Sequence, residues 1–177
     1  VKTHTTAMDA FSSINAPLAG MFDVEGVHIN HPQGYTPADG LTAEYRLRNG
    51  IDPRVFLLKL VPGTSPDVFR FVREAGYRGL VIEAFGMGGL HYIRRNLVAA
   101  LQELAASGVY VLVVSQCLHD KADLNVYEVG HGVMREHVHS GRDMTTEAAV
   151  TKLMWALAQE DTTALLKAPI VGEMKRE

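Results

Sequence analysis

The chain has 177 residues, 47% of them hydrophobic, enough to bury the core of one ordinary domain. A formal net charge of -3, a pI near 6.2 and the lack of any basic stripe speak against a polyanion binder, so nucleic acid is not expected as a partner. The single cysteine, Cys117, excludes an internal disulfide framework, and no apolar run approaches the roughly 18 residues that span a bilayer, so no membrane partner is expected.

The opening run Val1-Lys2-Thr3-His4-Thr5-Thr6-Ala7-Met8-Asp9-Ala10-Phe11 is polar and β-branched and lacks an initiator Met. It reads as the middle of a protein, with further sequence expected upstream. Residues 3–15 are irregular, and a turn-prone Asn15-Ala16-Pro17-Leu18-Ala19-Gly20 follows. Val24 to Ile29 suits half of a hairpin, and His31-Pro32-Gln33-Gly34 a turn. Such a stretch seldom makes a compact domain alone, so it is expected to be the trailing part of a domain whose body lies elsewhere. The division is expected near residues 46–53.

Beyond Pro53 the pattern becomes regular. Val55 to Val61 predicts a short apolar strand, closed by the turn Pro62-Gly63-Thr64-Ser65-Pro66. Ser65 can cap a helix with Pro66 at its first position, and that helix should run to about Ala75 and stop at Gly76. Gly79 to Ala84 predicts a second strand, Tyr92 to Ser107 a long helix ended by Gly108, and Val109 to Val114 a third strand. All three strands are apolar on both faces, as when helices cover a parallel sheet. A second irregular stretch, Ser115 to Asp143, precedes a helix that starts within 143–149, with Thr145 and Thr146 both suited to cap it and Leu153 and Leu157 on its apolar face. Asp161 to Lys167 predicts a short terminal helix, and the end from Pro169 should be ragged. The expected fold is an α/β, three-layer Rossmann-like domain with a parallel sheet.

Several groups could carry chemistry. Gly86-Met87-Gly88-Gly89 follows the second strand, where ligands of open parallel sheets lie; it serves either a ligand or a tight turn, and it is neither a dinucleotide fingerprint nor a P-loop. Ser115, Gln116 and Cys117 end the third strand at the same edge, with no base visible beside the thiol. Glu83 ends a strand that should be buried, so it either pairs with a cation or lines a site. His119, His131, His137 and His139, spaced 12, 6 and 2 apart, lack the compact pairs of a zinc site, and His28 and His31 are no better; no metal is expected. Asp123, Asn125, Tyr127 and Glu128 form a polar cluster that could reach a pocket or a partner subunit. Lys2 with Thr3, Thr5 and Thr6 is the strongest polar cluster, and a lysine there suits proton transfer to or from a hydroxyl.

Five stretches together resemble one family. They are Lys2 to Phe11 with Asn15-Ala16-Pro17-Leu18 after it, Gly79 to Gly89, Val114-Ser115-Gln116-Cys117, Val126-Tyr127-Glu128-Val129-Gly130, and Asp143 to Leu153. In this order they resemble the C-terminal half of bacterial-type L-asparaginases, closest to the cytoplasmic type I branch. The resemblance implies hydrolysis of L-asparagine to L-aspartate and ammonia by a threonine nucleophile, with no metal or organic cofactor. It implies that residues 1–48 are the trailing segment of a larger α/β domain, the N-terminal asparaginase domain, linker included, and that 53–177 form the C-terminal one. The catalytic threonines and their aspartate would lie upstream, so the N-terminal half is an implied partner. Lys2 would be the catalytic lysine of the Lys-Thr-x-Thr-Thr motif and act as its proton relay. A homo-oligomer, dimer or tetramer, and a cytoplasmic location are implied too. Cys117 matches the cysteine of that branch's Ser-Gln-Cys segment, near which some members bind regulatory asparagine. Gly89 stands where type II relatives place an asparagine that reaches a neighbouring subunit's site, so that contact does not carry over. Two readings stand beside this one: the related ammonia-releasing subunit of a tRNA-dependent amidotransferase, and a non-enzymatic asparagine-binding regulatory domain.

Overall fold

In the computed structural model, residues 1–7, 9–30, 47–90, 93, 95–124 and 136–175 are described. The chain forms two compact units, Val1–Asn49 and Gly50–Glu177.

The first unit contains a short ladder and a hairpin. Val1 and Ser12 exchange both backbone hydrogen bonds, at 2.8 and 2.9 Å, and Thr3 N donates to Ala10 O at 2.7 Å. Lys2 pairs with Phe11 in the antiparallel bridge between them. The hairpin joins β1 (Gly20–Asp23) to β2 (Gly26–Ile29). Its turn is set by Asp23, whose carboxylate accepts from Glu25 N at 2.8 Å, and by Gly26 at φ +130, a value open to glycine alone. The half-hairpin read at Val24 to Ile29 is the returning strand; the outgoing one lies in Gly20–Asp23. The turn read at His31 to Gly34 lies outside the described residues. Phe11, Phe22, Val27 and Ile29 stand exposed.

The second unit is a four-stranded parallel sheet in the order β3 (Val55–Lys59), β4 (Gly79–Ala84), β5 (Tyr110–Ser115), β6 (Val138–Ser140). Helices α1 (Asp67–Glu74) and α2 (Leu97–Ala106) supply the core on one face, and α3 (Thr146–Ala156) and α4 (Thr162–Lys167) on the other. The alternation of a strand sorts the residues. Leu80, Ile82, Val111 and Val113 meet Phe69, Val72, Leu97 and Leu101, whereas Val81, Leu112 and Val114 meet Ala149, Leu153 and Leu166. At about 25 cal/mol per Å² of apolar surface removed from water, this double burial is the main favourable term of the fold. Gly79 lets α3 sit close, because a Cβ there would lie 2.8 Å from a Leu153 methyl and 2.9 Å from one of Leu157.

The helix ends follow the side chains. Thr145 caps α3, its hydroxyl accepting from Ala148 N at 3.3 Å, and Asp161 caps α4, accepting from Ala164 N at 3.0 Å. The helical N-cap of α1 is Pro66, although the Ser65 hydroxyl still accepts from Asp67 N at 3.3 Å. The long helix expected from Tyr92 starts only at Leu97, because Asn96 caps it by accepting from Ala99 N at 3.0 Å. The stretch read as irregular between Ser115 and Asp143 contains β6, a strand too short for its period to show.

The ragged end expected from Pro169 is also corrected, for residues 170–175 are pinned. Lys152 is buried on α3 and donates to Ala168 O at 2.6 Å and to the Glu173 carboxylate. Glu173 also accepts from Ile170 N and Val171 N at 2.8–3.1 Å, which folds the tail back on itself. Met174 is buried, and Lys175 N donates to Asp143 Oδ1 at 2.9 Å. The physical cause is the Lys152 ammonium, which cannot remain buried without a carboxylate.

At the start of the unit, buried Asp52 accepts from Arg54 Nη2 at 2.8 Å and Arg78 Nη1 at 3.0 Å, while its own N–H donates to Met154 O at 2.9 Å. These contacts, the Arg54 hydrogen bonds first, hold its carboxyl well below the usual carboxylate range despite burial.

Removing one partner of the tail pair should be costly. Glu173→Leu leaves Lys152 buried and uncompensated and should lower stability by roughly 3 kcal/mol, read as a drop in urea midpoint. Lys152→Met with Glu173→Leu together should recover most of that loss. Burial raises the Glu173 pKa, but the Lys152 hydrogen bond and the backbone N–H groups outweigh it and bring it to about 2. Its folded value is depressed, so its contribution is complete above about pH 4.5 and is lost as pH falls toward 2.

Candidate functional site

Three strands end at one edge, where Lys59, Glu83 and Ser115 stand at or next to their last residues. Register places Lys59 beside Glu83, and Ala84 beside Ser115. Glu83 follows Ile82 and so faces the side of α3. There Thr146 Oγ1 donates to Glu83 Oε1 at 2.6 Å and Lys59 Nζ stands 3.5 Å from Glu83 Oε2. Glu83 therefore pairs with a cation and lines a cleft, which were the two roles its position allowed. The cleft, about 630 Å³, is bounded by Lys59, Glu83, Gln116, Cys117, Thr145 and Glu147, with Leu57, Leu118 and Met144 as its apolar surfaces. The first turn of α3 lines it as well, so its backbone N–H groups add positive potential beside the Glu83 carboxylate. Such a cleft offers both signs of charge within one small volume and suits a ligand with both an ammonium and a carboxylate.

Strand-end polar groups also build the rim. Gln116 Nε2 donates to Leu60 O at 2.7 Å and Glu83 O at 2.9 Å, tying β3 and β4 together beyond their ladders. Ser115 Oγ donates to Gly86 O at 2.5 Å and accepts from Cys117 N at 2.9 Å. The glycine loop is a closed turn: Phe85 N donates to Gly89 O at 3.2 Å and Gly89 N to Phe85 O at 2.7 Å, with Gly86 at φ +50 and Gly88 at φ +110. Cys117 is exposed at the mouth of the cleft.

The other described candidates are not among the residues that line this cleft. His28 pairs with Asp23 at 3.1 Å in the first unit, and His119 is exposed. His137 and His139 flank Tyr110, with ring centroids 4.5 and 6.3 Å from its ring. His139 is buried, and its Nε2 has no hydrogen-bond partner among the described residues. No group of three or more metal-ligating side chains occurs among the described residues. Asp123 lies 3.2 Å from Lys121, and its N–H donates to Met87 O at 2.8 Å. His31, His131, Asn125, Tyr127 and Glu128 lie outside the described residues, as do Tyr92 and residues 126–130 of the resemblance. Lys2, Thr3, Thr5 and Thr6 are exposed on the first unit, with Thr3 Oγ1 donating to Ala10 O at 3.2 Å.

Residues 54–168 match the glutaminase/asparaginase C-terminal domain. The chain belongs to that family. The match contains every described residue of the cleft. The chain is 36% identical to the L-asparaginase of Thermococcus kodakarensis over 177 residues, covering 98% of this chain and 52% of that protein. It is 32% identical to a glutamyl-tRNA(Gln) amidotransferase subunit of Methanobrevibacter smithii over 180 residues, covering 99% of this chain and 40% of that one. Among solved structures, the Thermococcus kodakarensis L-asparaginase superposes with a TM-score of 0.84 at 34% identity, and L-asparaginase I of Vibrio cholerae with 0.82 at 26%, each covering 99% of this chain and 53% of the other. The chain thus spans about half the length, or less, of the relatives it matches. Kinship with a type I enzyme agrees with the resemblance read from the five stretches. Among the described residues no helix is long and apolar enough to cross a membrane.

Sequence reading missed Lys59 and Thr146 as partners of Glu83. A signal existed, for Lys59 and Glu83 are each the first charged residue near the end of an apolar strand, and parallel register sets them side by side.

His139 makes this unit acid-sensitive. Burial, then the charges of Lys167 and His137, lower its pKa from 6.5 to about 4. The fold holds it neutral while the unfolded chain takes a proton, so stability is complete above pH 6.5 and is lost as pH falls toward 4. Urea titration should show a loss of roughly 2 kcal/mol between pH 7 and pH 5 from this group, and His139→Leu should remove that part of the slope.

Proposed function

We propose that the protein to which this chain belongs hydrolyses L-asparagine to L-aspartate and ammonia, and that the chain contributes its C-terminal part. The observation that carries this is the Lys2-Thr3-His4-Thr5-Thr6 segment at the head of a chain that aligns over 98% of its length with an L-asparaginase. A neutral hydroxyl attacks an amide carbon only if a neighbouring base takes its proton. In this reading the nucleophilic threonine, a second threonine and an aspartate come from sequence upstream, and Lys2 relays the proton that finally leaves on ammonia. Residues 1–48 then complete the larger domain, whose remainder covers the exposed Phe22, Val27 and Ile29. Residues 53–177 form the smaller one. We assign the assembled protein to a cytoplasmic homo-oligomer, dimer or tetramer. The cleft at Glu83 and Cys117 is assigned to regulatory asparagine, whose ammonium and carboxylate suit its mixed charges.

A second reading is favoured by the amidotransferase relative: the protein would release ammonia for tRNA-dependent amidation beside a larger subunit. Ammonia release from free L-asparagine by the natural protein, purified as a single polypeptide species, supports the first reading. Activity only with a copurifying larger subunit and glutamyl-tRNA replaces it with the second. Specific asparagine binding without turnover in either setting would leave a regulatory domain.

Lys2→Met in the natural protein should lower kcat/KM by roughly 10²–10⁴-fold, the range of a positioned proton-transfer group, with the melting temperature held. An unchanged rate would remove Lys2 from the mechanism.

A further inference from the structure

The ladder at the start of the chain fixes more than the lysine. Val1 with Ser12, and Thr3 with Ala10, carry the backbone hydrogen bonds, so the pair between them, Lys2 with Phe11, is the non-hydrogen-bonded one. In such a pair the Cα atoms approach to about 4.5 Å and the two side chains leave the same face in contact distance of one another. Val1 and Thr3 project to the opposite face. The side chain directly opposite Lys2 is therefore a phenyl ring, 76% exposed in this chain. No buried residue of its own unit claims it: among the described residues, every core residue lies between Asp52 and Met174.

We propose that Phe11 is a positioning residue for Lys2. Its ring face supports the aliphatic stem of the lysine and restricts the directions open to the ammonium, which would otherwise sample the rotamers of a four-carbon chain. The ring also occupies one side of the ammonium that water would fill, while attracting the cation to its face. The neighbouring groups agree with this division of labour. Thr3 Oγ1 is engaged with Ala10 O at 3.2 Å and holds the ladder rather than the ammonium, which leaves Phe11 as the cross-strand contact for the lysine stem. The inference rests on the reading of Lys2 as the proton relay, and it adds a residue that touches neither substrate nor nucleophile.

The test is a double-mutant cycle in the natural protein, read as ammonia release from L-asparagine. Phe11→Ala should lower kcat by roughly 10–100-fold, as a misplaced catalytic group does, while KM stays near its original value. Phe11→Tyr, which keeps the ring, should restore most of kcat, and Phe11→Leu, which keeps apolar bulk but not the flat face, should restore less. In a Lys2→Met background, Phe11→Ala should cost nothing further, because the group it serves has gone. Circular dichroism and melting of each variant separate folding from positioning. If Phe11→Ala costs as much in the Lys2→Met background as alone, or if Leu serves as well as Tyr, Phe11 is a packing residue and the inference fails while the role of Lys2 stands. If Lys2→Met itself is fully active, the reading of Lys2 fails first and the inference falls with it.

Discussion

Strands β4 and β5 have no solvent face. Leu80, Val81, Ile82, Val111, Leu112, Val113 and Val114 are all fully buried, so helices must cover both sides of the sheet. That one constraint explains most of the second unit. It suits the parallel order, because the crossovers from β3 to β4 and from β4 to β5 return through α1 and α2, which lay their apolar faces on the strands. It explains Gly79, which lets α3 approach closely, and it explains why α3 carries Ala149, Leu153 and Ala156 toward the sheet. It also sorts polarity. A buried sheet admits charged and amide groups most easily at its ends: Arg54 and Arg78 precede β3 and β4 at one end, and Lys59, Glu83, Ser115 and Gln116 gather at the other.

The edge is consequently both a structural closure and a binding surface. Gln116 and Ser115 donate to backbone carbonyls at the strand ends, at 2.5–2.9 Å. Glu83 is shared by Lys59 and Thr146, which joins β3, β4 and the first turn of α3. The tail reaches the same neighbourhood from behind, since Lys175 N binds Asp143, two residues before the α3 cap. Residues 170–175 are thus held beside the start of α3, with the buried Lys152 and Glu173 pair as their anchor.

What the amino-acid order reveals depends on how local its cause is. Strands β4 and β5 show as apolar runs because burial on both faces admits nothing else, whereas β3, at the sheet edge, shows the same run although Leu57 is exposed. Thr145 and Asp161 announce their helices because a cap acts on an N–H three residues on. Asn96 carries the same signal, but the run before it also looks helical, and the start was read too early. Strand β6 is Val-His-Ser, too short for a period, and it exists because β5 offers it a ladder at Val111 to Val113. The pinned tail was illegible because its cause is a contact between Lys152 and Glu173, 21 residues apart. At the cleft, Glu83 was legible as an acid in a buried strand, but its partners required register. Lys2 was legible only through the company it keeps in sequence.

The two units differ in what they hold within themselves. The second has its own buried core; the first presents a ladder with an exposed lysine and a hairpin with exposed Phe and Ile side chains. A lysine so displayed becomes a proton relay only when other residues bring a hydroxyl and a carboxylate to it. The most direct measurement is a crystal structure of the natural protein with L-aspartate bound. The account predicts the Lys2 ammonium about 3 Å from a threonine hydroxyl that faces the ligand, or joined to it by one water. Aspartate bound only in the cleft at Glu83, with Lys2 pointing into solvent, would contradict it.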